Sequence, residues 1–195
     1  MKIILASKSP RRREILENLG VKFDIVTSDA DENSDISDPC DLVEELAFRK
    51  AMAVFANIKD KNEIDDNTLV IGCDTVVCCD NKILGKPKSH DDAFRMIKML
   101  EGRSHNVISG VALICNGKTL VRHEVTKVFF DSMTDEQIES YVSGDEPYDK
   151  AGGYAVQGMA SRFIGRLEGC YFNVVGLPVN LLCRMTESLN IDMFS

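Results

Sequence analysis

Ile3-Ile4-Leu5-Ala6-Ser7-Lys8-Ser9-Pro10-Arg11-Arg12-Arg13-Glu14-Ile15-Leu16 is the stretch whose reading decides the fold. Its apolar opening reads as a strand ending at Ala6, and a helix is expected from Pro10. Ser9 is a suitable N-cap, and Pro10 fits the first helical position, where no N–H is required. Ile15, Leu16 and Leu19 give that helix a buried face, and Gly20 can end it in a left-handed conformation. Arg11, Arg12 and Arg13 crowd its first turn, where the helix dipole already presents about half a positive charge. Unless an anion answers them, each costs about a few tenths of a kcal/mol. Free first-turn N–H groups, two serine hydroxyls and forked guanidiniums together form a phosphate cradle, the alternative being a solvated basic turn.

The rest of the chain interleaves helices with strands. Val21, Phe23 and Ile25 alternate as a half-buried strand does, and residues 27–39 form an acidic loop that contains Glu32. A helix is expected over 41–56, with Leu42, Leu46, Ala47, Val54 and Phe55 facing the core and Lys50 among them, followed by a charged connection over 59–67. Residues 69–73 read as a strand buried on both faces that ends in Asp74-Thr75. A second extended stretch then turns near Asp80-Asn81 and closes on Gly85-Lys86-Pro87. Ser89 caps a helix over 91–100, and a strand leads to Cys115. Asn116-Gly117 signals a hairpin, with the return strand over 120–130. Thr134-Asp135-Glu136-Gln137 matches a capping box for a helix ending at Gly144. The glycine-rich loop 145–158 follows, then short strands over 162–167 and 171–175, and Pro178 opens a last helix to about Leu189. This pattern predicts an α/β fold with a mixed sheet and flanking helices, in a single domain spanning 1–195.

Composition narrows the function. The 195 residues are 44% hydrophobic and 28% charged, ordinary for a globular protein, and carry a formal net charge of −8. That balance argues against a nucleic-acid surface, so positive charge for phosphate must be concentrated locally or supplied by a metal. No apolar run is long enough for a membrane span and no signal-peptide pattern is present, so a cytoplasmic location without membrane contact is expected. The seven cysteines include no CxxC pair and read as reduced thiols. His90, His105 and His123 lack metal-ligand spacing.

Several polar residues could carry chemistry, each with a bland alternative. Asp74, placed at a strand end, could act as general base or hold a divalent cation, or could simply cap a turn. Glu32 could be a second carboxylate for that cation or a solvated loop residue. Lys50 could grip phosphate or snorkel from its helix, and Lys86 could do the first or sit exposed in its turn. Gln157 has the donor and acceptor needed to read a base edge, or is a plain loop amide.

Their joint pattern resembles the Maf family of nucleoside triphosphate pyrophosphatases, in ordered blocks from Leu5 to about Leu182. The blocks are Leu5-Ala6-Ser7-Lys8-Ser9-Pro10-Arg11-Arg12, Asp31-Glu32, residues 46–51, Gly72-Cys73-Asp74-Thr75-Val76-Val77, residues 83–87 and Gly102-Arg103-Ser104-His105-Asn106-Val107. Two more follow, residues 149–158 and Asn173-Val174-Val175-Gly176-Leu177-Pro178. The resemblance implies an elongated mixed sheet with two lobes around a nucleotide cleft. It also implies Mg²⁺- or Mn²⁺-dependent hydrolysis of a nucleoside triphosphate to the monophosphate and pyrophosphate, and a homodimer. By motif, Asp74 would be the proton acceptor, and Ser9, Arg11, Arg12, Lys50 and Lys86 would hold the triphosphate. Glu32 would assist the metal, with Asp74, or the water. Arg11, Thr75 and Gln157 match the branch resembling dTTP/UTP pyrophosphatases. The rivals are a purine or 7-methyl-GTP pyrophosphatase and a non-catalytic, nucleotide- or DNA-binding regulator of cell division. Two departures stand out: an extra residue in Gly144-Asp145-Glu146-Pro147, and Cys170 where a serine is common.

Overall fold

The computed structural model describes residues 1–27, 29–61 and 67–194. In chain order it contains β1 (Lys2–Ala6), α1 (Pro10–Asn18), β2 (Asp24–Ile25), α2 (Pro39–Asp60), β3 (Thr68–Cys79), β4 (Lys82–Leu84) and α3 (His90–Leu100). There follow β5 (Ser104–Cys115), β6 (Lys118–Phe130), α4 (Asp135–Val142), β7 (Ile164–Glu168), α5 (Tyr171–Val175) and α6 (Val179–Ser188). Among the described residues the strands make a seven-stranded sheet of order β2-β1-β3-β5-β6-β7, with β4 also on β3. It is mixed, as expected: β1 pairs in parallel with β2 and β3, while β3–β4 and β6–β7 are antiparallel.

The local signals hold well. Asp80 and Asn81 both take positive φ (50° and 60°), as do Asn116 and Gly117 (50° and 69°), the requirement of tight hairpin turns. Ser89 Oγ accepts from the Asp92 N–H, and Thr134 with Gln137 forms the full capping box. Helix α1 ends as expected with Gly20 at φ +74°, where the N–H of Gly20 bonds Glu17 O and that of Val21 bonds Leu16 O.

Five expectations need correction. Ser9 occupies the N-cap position of α1 without a side-chain cap bond; its own N–H is taken by Ser7 Oγ at 3.2 Å. Only Asp24 and Ile25 of the stretch from Val21 pair as a strand. Helix α2 starts earlier and runs longer, because Asp38 accepts from the N–H groups of Cys40 and Asp41 and Pro39 fits the first turn, and it buries Val43 in preference to Leu42. Strand β3 does not stop at Asp74-Thr75 but continues to Cys79, where β-branched Val76 and Val77 favour extension. Residues 171–175 are a helical turn, not a strand: the buried Asn173 donates its amide to Val107 O and Thr126 Oγ1 at 3.0 and 2.9 Å, and its N–H bonds Cys170 O. The predicted connection over 59–67 lies partly outside the described residues, and α2 itself reaches Asp60.

Two compact units divide the chain. One comprises Met1–Asp74, Ser109–Glu124 and Gly176–Ser195; the other comprises Thr75–Ile108 and Val125–Val175. The core of the first gathers Ile4, Ala6, Ala47, Ala51, Val54, Val70 and Ala112, so small side chains of α2 meet the sheet. The approach is close enough to exclude a methyl group. A Cβ on Gly72 of β3 would stand 2.2 Å from Ala47 O, and one on Gly110 of β5 would stand 2.2 Å from Val43 O. Gly72→Ala should therefore cost about 3 kcal/mol by overpacking, a melting temperature lower by roughly 6–12 °C, read by thermal unfolding. An unchanged melting temperature would show that α2 can retreat freely. The second unit packs α3 and α4 around Ile97, Leu100, Val128, Phe130, Ile138 and Tyr154.

Candidate active site

The three arginines of α1 part company. Arg13 is exposed and pairs with Glu17 at 2.7 Å, whereas Arg11 is half-buried. Arg12 is buried and turns inward. Its Nε donates to Gly176 O and its Nη1 to Cys73 O, each at 2.8 Å, with Ser7 Oγ 3.2 Å from the same Nη1. One guanidinium thus ties the start of α1 to the carbonyl just before Asp74 and to the segment entering α6. Cys73 lies in the same knot, its Sγ donating to Gly176 O at 3.3 Å, and burial pushes its thiol pKa up.

Asp74 is positioned by strand periodicity. Residues two apart share a face, so Asp74 projects on the side where Gly72 lets α2 come close. There Lys50 of α2 donates from Nζ to Asp74 Oδ1 at 2.5 Å and pairs with Glu32 Oε1 at 2.9 Å. The side chains of Lys50 and Asp74 are only 15% and 13% exposed, that of Glu32 66%. Burial alone would pull the Lys50 pKa down; Asp74, by charge and hydrogen bond, and then Glu32 outweigh it, so the net shift is upward from 10.5. Lys50 is therefore held as an ammonium, and it reaches carboxylates where snorkelling would have taken it to water.

Glu32 owes its place to a residue the sequence reading passed over. Arg49 Nη1 donates to Asn33 O at 2.8 Å and to Asp31 O at 3.4 Å, while its Nε pairs with Glu45 at 2.7 Å. The loop backbone on both sides of Glu32 is thereby fastened to α2. The spacing of Glu45 and Arg49, one helical turn apart, was the available signal.

Thr75, Lys86 and Gln157 belong to the second unit. Thr75 follows Asp74 on β3 and is half-buried; Lys86 is exposed between Gly85 and the buried Pro87. Gly85 O accepts the Gly152 N–H at 3.0 Å, which joins the Lys86 turn to the glycine-rich loop. Gly152 takes φ +70°, and a Cβ there would meet Val77 Cγ2 at 2.9 Å. Gln157 is exposed within the turn closed by Gly158 N–H on Ala155 O at 3.1 Å.

A family model described as Maf-like protein matches residues 2–189. The chain belongs to the Maf family. Relatives similar over nearly their full length carry the name dTTP/UTP pyrophosphatase. One from Desulforamulus reducens is 49% identical over 195 residues, covering 98% of each chain. One from Alkaliphilus oremlandii is 49% identical over 181 residues, covering 91% of this chain and 90% of the relative. One from Bacillus cereus is 44% identical over 193 residues, covering 98% and 97%.

The donor set of this Maf chain suits a hard divalent cation. Glu32 and Asp74 already share one cationic centre, and Mg²⁺ is commonly bound through one or two carboxylates completed by substrate phosphates. Among the described residues no cluster of three or more His, Cys, Asp or Glu forms a self-contained metal cage. No described helix is long and apolar enough to cross a membrane, and all seven cysteines are free thiols.

Proposed function

We propose that this Maf-family protein is a nucleoside triphosphate pyrophosphatase, hydrolysing dTTP, UTP and related pyrimidine nucleotides to the monophosphate and pyrophosphate. The observation that carries the reading is Lys50 bridging Asp74 and Glu32 on a face prepared by Gly72. Asp74 accepts a proton from the water that attacks the α-phosphorus. The new bond runs from that water oxygen to phosphorus, and the bond to the pyrophosphate oxygen breaks. Lys50 keeps Asp74 Oδ1 oriented and places a permanent positive charge beside the reacting phosphates. Ser9, Arg11, Arg12 and Lys86 contribute to holding the triphosphate, with Arg12 also bracing the strand that bears Asp74. Glu32 and Asp74 would hold Mg²⁺ or Mn²⁺, which supplies neutralising charge for the leaving pyrophosphate. Gln157 reads the base: a primary amide offers one donor and one acceptor to the imide edge of thymine or uracil, and Arg11 and Thr75 are the other residues that match the dTTP/UTP branch. Free thiols support a reducing, cytoplasmic setting.

Pyrophosphate release from dTTP, UTP, CTP, GTP, 7-methyl-GTP and ITP, with and without Mg²⁺ or Mn²⁺, tests this reading. Release is expected only with metal, and kcat/KM for dTTP and UTP should exceed the others by about tenfold or more. Preference for a purine would overturn the base assignment while sparing the chemistry. No release from any nucleotide by folded protein would overturn the enzyme itself in favour of a regulator.

A further inference from the structure

Gln157 is exposed, so packing does not orient its side chain, and Gly158 beside it adds backbone freedom. Something else must fix its direction if it is to tell one base from another. Beyond the bond from Gly152 to Gly85 O, the structure supplies a carboxylate. Glu146 Oε2 accepts the Met159 N–H at 2.7 Å, and its Oε1 lies 3.3 Å from the Ala160 nitrogen and 3.0 Å from the Tyr141 hydroxyl. That hydroxyl also lies 3.1 Å from Gly153 O, and burial first, then Glu146's charge, raise its pKa and keep it a donor. Gly158 is what lets the carboxylate in: a Cβ there would stand 2.2 Å from Glu146 Oε2. The backbone after the turn carrying Gln157 is thus fastened to one acidic group through two amides, and the single proton of the Tyr141 hydroxyl is within reach of both that group and the Gly153 carbonyl before the turn.

We propose that Glu146 is a positioning residue for base selection, holding the turn 155–158 so that the Gln157 amide is presented in one direction. The inference rests on the reading of Gln157 as the base-contacting residue. Glu146 touches no substrate itself. Its effect belongs to discrimination between bases, because affinity for the triphosphate resides in other groups.

The test compares Glu146→Gln, Tyr141→Phe, Gln157→Ala and the double variant Glu146→Gln/Gln157→Ala. Two quantities are read: the ratio of kcat/KM for dTTP over CTP, and inhibition by inorganic tripolyphosphate, which has the phosphates and no base. Glu146→Gln keeps the size of the side chain but exchanges one acceptor for a donor facing an N–H. It should lower the dTTP/CTP ratio by about tenfold through KM for dTTP and leave tripolyphosphate inhibition within about twofold. In the Gln157→Ala background it should lower the ratio no further, the signature of two residues acting as one. Tyr141→Phe, which removes one contact of several, should shift the ratio in the same direction by less, and it stands in if Glu146→Gln does not fold. If Gln157→Ala lowers the ratio while neither Glu146→Gln nor Tyr141→Phe does, the positioning role is wrong and the Gln157 reading survives. Equal loss of dTTP and tripolyphosphate affinity would also overturn it, reducing Glu146 to a general scaffold residue. If Gln157→Ala itself leaves the ratio unchanged, the base-reading assignment fails and takes the inference with it.

Discussion

Asp74→Asn is expected to lower kcat by about 10²-fold or more while leaving the protein folded. The amide is nearly the same size as the carboxylate and keeps an oxygen toward Lys50 Nζ, so the 2.5 Å contact has an acceptor in the variant. What it cannot do is take a proton from water. Lys50 reports independently. Its pKa stands above 10.5 because Asp74 and Glu32 outweigh burial, so the stability it contributes is present below 10.5 and lost as pH rises through the higher, folded-state value. With Asp74 neutral, only Glu32 opposes burial, and the loss should begin at lower pH. A folded, fully active variant would remove Asp74 from the mechanism.

Arg12→Ala should produce the largest loss of stability. It withdraws the donor shared by the carbonyls of Cys73 and Gly176, both contacted at 2.8 Å by a buried guanidinium. An orphaned buried acceptor costs about 1–3 kcal/mol, so the total should reach about 3–5 kcal/mol. Thermal unfolding should fall by roughly 10 °C. Activity should fall with it, because Cys73 O is one residue from Asp74. Arg12→Lys keeps the charge but lacks the planar fork that serves two carbonyls at once, and it should land between Ala and the parent. A grip on phosphate alone gives a different outcome: KM rises, the melting temperature stays put, and Lys rescues much of the loss.

Sequence and structure agree where the determinants are local. Ser89, Thr134 and Asn116-Gly117 announce their caps and turn within a few residues, and the structure forms each. They part where the deciding partner is distant. Asp74 looks like a strand end because aspartate disfavours strands, yet β3 has neighbours along its length and runs on. Residues 171–175 alternate well enough for a strand, but Asn173 is claimed by Val107 and Thr126, far upstream. Arg12 reads as part of a basic turn until Gly176, separated by 164 positions, takes its Nε. The candidate carboxylates and Lys50 were legible as a motif. Their meeting on one ammonium depends on Gly72 and on Arg49, neither of which looks chemical in a sequence.

The unit that bears Asp74 is written in three instalments, and the last begins at Gly176. On a ribosome adding about 5–20 residues per second, roughly 5–20 s separate the synthesis of Asp74 from that of the carbonyl that Arg12 needs. During that interval Arg12 has the Cys73 carbonyl but not the Gly176 carbonyl, while Asp74, Lys50 and Glu32 are already present. A product cut short before α6 is in the same condition for good. The C-terminal segment thus completes, last of all, the clamp on the carbonyl next to Asp74.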